Sequence, residues 1–368
     1  METKMNTKMN TKMDKKPDQK ITNLVHHLAS GCCMWSGIED LYATRTGEIL
    51  PDGFLFALSS FGEAILLKQN NVSHPYMFGV ADGRTYKTYN SIKDDLGLEY
   101  KISVGRTLEY AIKSVRSEID QGRPVIVGPL DMYYLPYFKM YHKFHIPIHY
   151  ILLVGYNKEK EIFYSYDCDR EDEIVLPMED LMKAWQVEKN VVGDKNGFVK
   201  FSLPNHPTPK FELAKQCLKQ KANRQLCEKP NFVGCNAFYK VAKELPLWEK
   251  QLSYKAYKNT LFAIASGCGR VPKLPNALMG IKGQEDIVFD GNYGRLGQLC
   301  IDLGQEYNHS NFIKAGELFC QNGELLIEVT KHIVENHCDH NHHLNMLPQF
   351  FTRLGDNSKE AYQILKED

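Results

Sequence analysis

The chain has 368 residues, with 45 basic and 45 acidic side chains and no run of about 18 apolar residues. That length leaves room for two domains, while the charge balance gives no basic footprint for nucleic acid or an anionic membrane, and no membrane span is expected. Ten cysteines are scattered along the chain, and the lysine-bearing N-terminus lacks the apolar core of a secretory signal, so reduced thiols and a cytoplasmic location are expected.

Residues 1–20 repeat Thr-Lys-Met-Asn and then turn to Lys, Asp, Pro and Gln, which offers little to offset the entropy of ordering; they read as a disordered tail. Residues 21–205 read as a mixed α+β domain. In the segment from Ala29 to Tyr42, a small-residue turn leads into Trp35, Ile38, Leu41 and Tyr42 at helical spacing, which predicts a helix with one apolar face. Cys33 falls in its first turn, where unpaired N–H groups and the helix dipole stabilise a thiolate. Cys32 is the adjacent rival, rotated by about 100°.

Phe54 to Gln69 shows no clear period, Tyr76–Val80 and Tyr100–Val104 read as strands, and Arg106–Gln121 as an amphipathic helix stopped by Gly122-Arg123-Pro124. Val125–Gly128 reads as a buried strand, followed by an aromatic loop with Tyr133, Tyr134, Tyr137 and Phe138. Those tyrosines suit a substrate channel or packing between domains, and Asp131 suits a solvated carboxylate or a substrate contact. His149–Tyr156 and Glu161–Asp167, separated by a polar turn, predict a hairpin that brings His149 beside Asp167, Cys168 or Asp169. A cysteine nucleophile needs a base and a group to orient that base, and Cys33, His149 and Asp167 supply the types. His142 and His145 are rival bases, disfavoured because they sit in a loop.

Beyond the proline-rich stretch 204–209, residues 210–368 read as a separate helical domain: Phe211–Gln220, Phe238–Ile264 with a break at Pro246, Leu296–Gly304, Asn311–Asn336 and Leu344–Lys366. His337 to His343 holds metal-ligand types, but the spacing matches no compact zinc pattern, so no metal is expected there.

Three blocks carry a resemblance. They are Gly31-Cys32-Cys33-Met34-Trp35-Ser36, the run from Gly122 to Tyr137, and His149–Tyr156 followed by Asp167. Residues about 22–204 resemble the papain-like N-terminal domain of the butirosin biosynthesis protein H family, and residues about 210–368 the helical domain that often follows it. The resemblance implies Cys33 as nucleophile, His149 as base and Asp167 as orienting acid. It implies an acyltransferase that moves an aminoacyl group from an acyl carrier protein thioester to an amine, without metal or nucleotide cofactor. Papain-like enzymes usually carry a glutamine oxyanion donor six residues before the nucleophile; His27 stands at that offset here, where a surface histidine is an equally natural reading. Cys32 stands where relatives often carry histidine. A hydrolase or peptidase with the same triad, and a silent papain-like binding module, are the alternative readings.

Overall fold

The computed structural model describes residues 18–29, 33–70, 72–80, 84–190, 192–268, 292–335 and 344–367. In chain order the N-terminal part holds β1 (Gln19–Lys20), α1 (Cys33–Thr46), α2 (Phe54–Leu58), β2 (Ile65–Lys68), β3 (Tyr76–Gly79), α3 (Thr85–Asn90), α4 (Lys93–Leu96) and β4 (Glu99–Ser103). It continues with α5 (Leu108–Ile119), β5 (Val125–Asp131), β6 (Pro147–Asn157), β7 (Ile162–Tyr166), β8 (Ile174–Pro177), α6 (Met178–Ala184) and β9 (Phe198–Ser202). The C-terminal part is helical: α7 (Lys210–Gln225), α8 (Cys235–Gln251), α9 (Tyr254–Gly267), α10 (Tyr293–Glu306), α11 (Ser310–Glu335) and α12 (Leu347–Glu367). Among the described residues, no helix is long and apolar enough to cross a membrane.

The main sheet runs β4-β9-β5-β6-β7-β8 with every pair antiparallel, and β2 and β3 form a separate hairpin. Strand alternation sorts its side chains onto two faces. Ile126, Tyr150, Leu152, Val154, Val199 and Phe201 join the core beneath α1, whereas Val125, Val127, Ile151, Leu153 and Phe198 join a second core under α5 and α6. A register shift in β6 between Leu153 and Gly155 then returns Tyr156 to the second face. β6 outruns β5, whose Val125 pairs with Leu153, and β1 occupies the free edge through Gln19↔Tyr156 and Lys20↔Gly155. Residues 18–20 are therefore ordered, against the expectation of a tail reaching residue 20, and residues 1–17 lie outside the described residues.

α1 departs from the one-sided helix expected. Every residue from Met34 to Ala43 is buried, because β5 and β6 cover one side, α2 packs against another, and Tyr89 of α3 meets Trp35 edge-on. Its polar positions are met locally: Glu39 Oε1 accepts from the Leu55 N–H at 3.1 Å, and Asp40 faces His26 and His27. Gly37 allows the close approach to the sheet, since a Cβ there would stand 2.6 Å from Leu152 Cδ1 and 3.2 Å from Ile126 Cγ1.

The expected break at Pro246 also moves. α8 runs through Pro246, with Leu245 and Trp248 buried around it, and ends at Gln251. The interruption comes at Ser253, whose hydroxyl caps α9 by accepting from the Ala256 N–H. One hydrophobic cluster extends from Met34 to Leu365 and so includes residues on both sides of the 204–209 stretch. Thr208 ties that stretch twice to the N-terminal part: Tyr42 donates to the Thr208 carbonyl at 3.0 Å, and the Thr208 hydroxyl donates to the Asp95 carbonyl at 2.5 Å. Lys221 of α7 is wholly buried and donates to the Ala57, Ser59 and Phe61 carbonyls at 2.9, 2.9 and 2.7 Å; burial lowers its pKa to about 8.

Gly37→Val forces a branched side chain into Leu152, and overpacking of this kind costs about 1–3 kcal/mol. The expected outcome is a lower urea midpoint with an unchanged m-value.

Candidate active site

Cys33 is the first residue of α1 and remains half-buried. Residues 30–32 lie outside the described residues, so Cys32 is not placed. His149 is the third residue of β6, and Asp167 directly follows β7. The pairing Leu152↔Tyr166 brings the start of one strand beside the end of the other. His149 Nε2 donates to both Asp167 oxygens, at 2.9 Å to Oδ1 and 2.8 Å to Oδ2.

Asp167 is fully buried and holds further donors: the Tyr137 hydroxyl at 2.7 Å on Oδ2 and the Cys168 N–H at 2.7 Å on Oδ1. Burial pushes its pKa up, but the His149 charge and these hydrogen bonds outweigh burial and hold the carboxyl below its ordinary value. His149 behaves in the complementary way. Burial opposes its charge, yet the charges of Asp167 and Cys33, with a hydrogen bond to each, lift the imidazole well above 6.5. With Nε2 committed to Asp167, Nδ1 is the nitrogen left for the sulfur. Phe138 meets the imidazole edge-on, with ring centroids 5.1 Å apart at 89°, which limits its rotation.

The other acid candidate, Asp169, is occupied by Arg170 at 3.0 and 3.1 Å, and Arg170 lies over the Tyr137 ring at 4.5 Å. Tyr137 thus serves the acid: its hydroxyl touches Asp167, and burial with the adjacent carboxylate pushes its pKa well up. In the sequence it falls with Tyr133, Tyr134 and Phe138 as a residue suited to a channel or to packing between domains, and nothing in its spacing distinguishes it. Tyr133 and Tyr134 sit edge-to-face at 4.9 Å, both half-buried beside His145 and His142. Tyr150, next on β6, lies in the core beneath α1, and burial raises its pKa. Its hydroxyl donates to the Val192 carbonyl at 2.8 Å.

His27 is turned toward α1. Its Nδ1 is 2.8 Å from Asp40 Oδ1, its backbone N–H donates to the same oxygen at 3.2 Å, and its Nε2 is 3.8 Å from Glu39 Oε2. Both of its ring nitrogens therefore face carboxylates. His26 takes the other Asp40 oxygen at 2.7 Å and stacks on Tyr166 at 4.2 Å. Burial raises Glu39 to about 7, while His26 and His27 are lifted, against burial, by Asp40. Asp131 is buried and accepts from the Tyr133 and Ile146 N–H groups. The run 337–343 lies outside the described residues, and among the described residues no group of three His, Cys, Asp or Glu is close enough to hold a metal ion.

The arrangement provides a thiol at a helix start, an imidazole with one nitrogen free for it, and a buried carboxylate fixing the imidazole. Such a set can hold a thiolate–imidazolium pair. Asp167→Asn removes the charge that raises His149, so the imidazole should titrate at a clearly lower midpoint. Histidine C–H NMR titration, with His149 assigned by its loss in His149→Gln, checks this. Tyr137→Phe should move the midpoint less. Because the folded-state value is raised, the stabilisation from charged His149 is whole below about pH 6.5 and is lost as pH rises through the folded value.

Comparison with protein families finds that the model described as butirosin biosynthesis protein H, N-terminal, matches residues 32–168. That span contains Cys33, His149 and Asp167, whereas β8, β9 and the helical half lie beyond it. A comparison with curated proteins finds no match.

Proposed function

We propose, taking residues 32–168 as butirosin biosynthesis protein H-like, that this chain is a papain-like cysteine acyltransferase of antibiotic biosynthesis. In this reading it moves an acyl or aminoacyl group from a carrier-protein thioester to an amine. The observation that carries the reading is the buried Asp167–His149 pair, with the remaining imidazole nitrogen left for Cys33 at the start of α1.

In the first half-reaction the Cys33 thiolate attacks the thioester carbonyl, the carbon–sulfur bond to the carrier breaks, and imidazolium His149 protonates the departing thiolate. Asp167 keeps the imidazole oriented and compensates its charge. Exchange of one thioester for another is nearly balanced in energy. In the second half-reaction an amine attacks acyl-Cys33, the sulfur leaves, and His149 takes up a proton to restore the starting pair. Amide formation from a thioester runs downhill, which gives the cycle its direction.

The test is intact-mass analysis after incubation with acyl carrier protein thioesters and with N-acetylcysteamine thioesters. A covalent adduct is expected on the wild-type chain, lost in Cys33→Ala and discharged when amines are added. An adduct discharged as fast by water alone would make the chain a hydrolase, and no adduct with any thioester would overturn the reading.

A further inference from the structure

The residues just before α1 are laced to the turn that carries Asp167. The Ala29 N–H donates to the Cys168 carbonyl at 2.9 Å, and the His26 imidazole makes a second tie. His26 Nδ1 lies 2.7 Å from Asp40 Oδ2 on α1, and its Nε2 lies 2.9 Å from the Arg170 carbonyl oxygen. The ring lies flat on Tyr166, the last residue of β7, with centroids 4.2 Å apart at 12°, and only 5 % of the side chain is exposed. A carbonyl oxygen accepts and cannot donate. Asp40 also accepts from the His27 backbone N–H and has His27 Nδ1 2.8 Å from the same oxygen, a setting that suits the carboxylate. A neutral imidazole has one N–H and would turn its other nitrogen's lone pair against an oxygen, so both contacts are met only when both nitrogens carry protons. His26 is thus an imidazolium, balanced by Asp40 and laid on an aromatic face. Burial opposes that charge, yet Asp40 and the Arg170 carbonyl together lift the imidazole above 6.5.

The far end of this link reaches the candidate triad. The Arg170 N–H donates to the Asp167 carbonyl at 3.4 Å, and its guanidinium holds both Asp169 oxygens while lying 4.5 Å from the Tyr137 ring centroid and 5.7 Å from that of Phe138. Those are the two aromatic residues that meet Asp167 and His149. At the near end Asp40 follows Cys33 by seven residues on one helix, a rise of about 10 Å. One imidazolium therefore joins the helix that begins at the thiol to the turn that holds the acid.

We propose that His26 is a positioning residue, which clamps the turn 167–170 onto α1 and so keeps Asp167 and His149 aligned with Cys33. It touches neither the thiol nor the base, and acts through the Arg170 carbonyl. The role rests on the Cys33–His149–Asp167 reading above, but on neither the acyl donor nor the amine. With the clamp lost, the Arg170 guanidinium no longer bears on Tyr137 and Phe138 in one place, Asp167 holds His149 less firmly, and a smaller share of Cys33 is thiolate.

Three measurements on the full chain test this, with iodoacetamide as the probe of the thiolate. In wild type, nitrogen-15 NMR at pH 7 should find a proton on each ring nitrogen of His26, identified by its through-space contacts with the Tyr166 ring. His26→Phe keeps a flat ring on Tyr166 and removes both donors. It should slow alkylation of Cys33, read by peptide mass spectrometry, by about tenfold, and lower the His149 titration midpoint by less than Asp167→Asn does. In the Asp167→Asn background the same change should alter the Cys33 rate by no more than about twofold, because the clamp acts through that acid. A bare nitrogen on His26 at pH 7 overturns the proposal whether or not the variant folds. So does a folded His26→Phe chain with a lower urea midpoint but the wild-type Cys33 rate and His149 midpoint, which is a structural role alone, and so does full additivity with Asp167→Asn. A Cys33 alkylated no faster than the half-buried Cys227 and Cys320 in wild type is a separate outcome: it sinks the triad itself, and this role with it.

Discussion

The contact on which the rest depends is the seating of α1 on β6. A helix buried on every side from Met34 to Ala43 cannot slide or turn without opening the core, and Gly37 lets it settle onto Leu152 and Ile126. Since Cys33 begins that helix and His149 stands third in the strand beneath it, one packing interface positions both the thiol and the imidazole. Precision at the site is a property of the fold's core, with little left to loop adjustment.

The same burial creates an electrostatic difficulty that the chain resolves in two ways. Asp167 keeps its charge because His149, Tyr137 and the Cys168 N–H all converge on it. Glu39, equally buried, has one backbone donor on Oε1 and a histidine 3.8 Å from Oε2, and its pKa rises to about 7. Two buried acids thus differ in ionisation through the number and geometry of their donors. Lys221 follows the same rule for a cation, with three carbonyls in place of a counter-ion.

Much of this was legible in the residues. The amphipathic period of α5, the hairpin of β6 and β7, the start of α1 at Cys33 and most of the C-terminal helices follow local rules that the structure also obeys. Contacts that depend on partners distant in sequence were not legible. β8 and β9 are only four and five residues long, too short to show a period of their own, and β1 exists only because β6 outruns β5. α1 was read as one-sided because Glu39 and Asp40 look like solvent residues until His26, His27 and Leu55 are brought to them. Likewise Pro246 reads as a stop unless the packing of Leu245 and Trp248 is known. The tie from Tyr137 to Asp167 spans thirty residues and had no sequence mark.

Strand order has a bearing on how the molecule is made. β9 lies between β4 and β5, so Glu99 waits for Ser202, about a hundred residues later, before its neighbour exists. On a ribosome moving from the first residue to the last, the β5-β6-β7 ribbon can assemble early, while the facing edges of β4 and β5 stay bare until β9 has left the exit tunnel. During that interval nascent chains are exposed to edge-to-edge association, and a polypeptide released before residue 202 would carry the gap permanently.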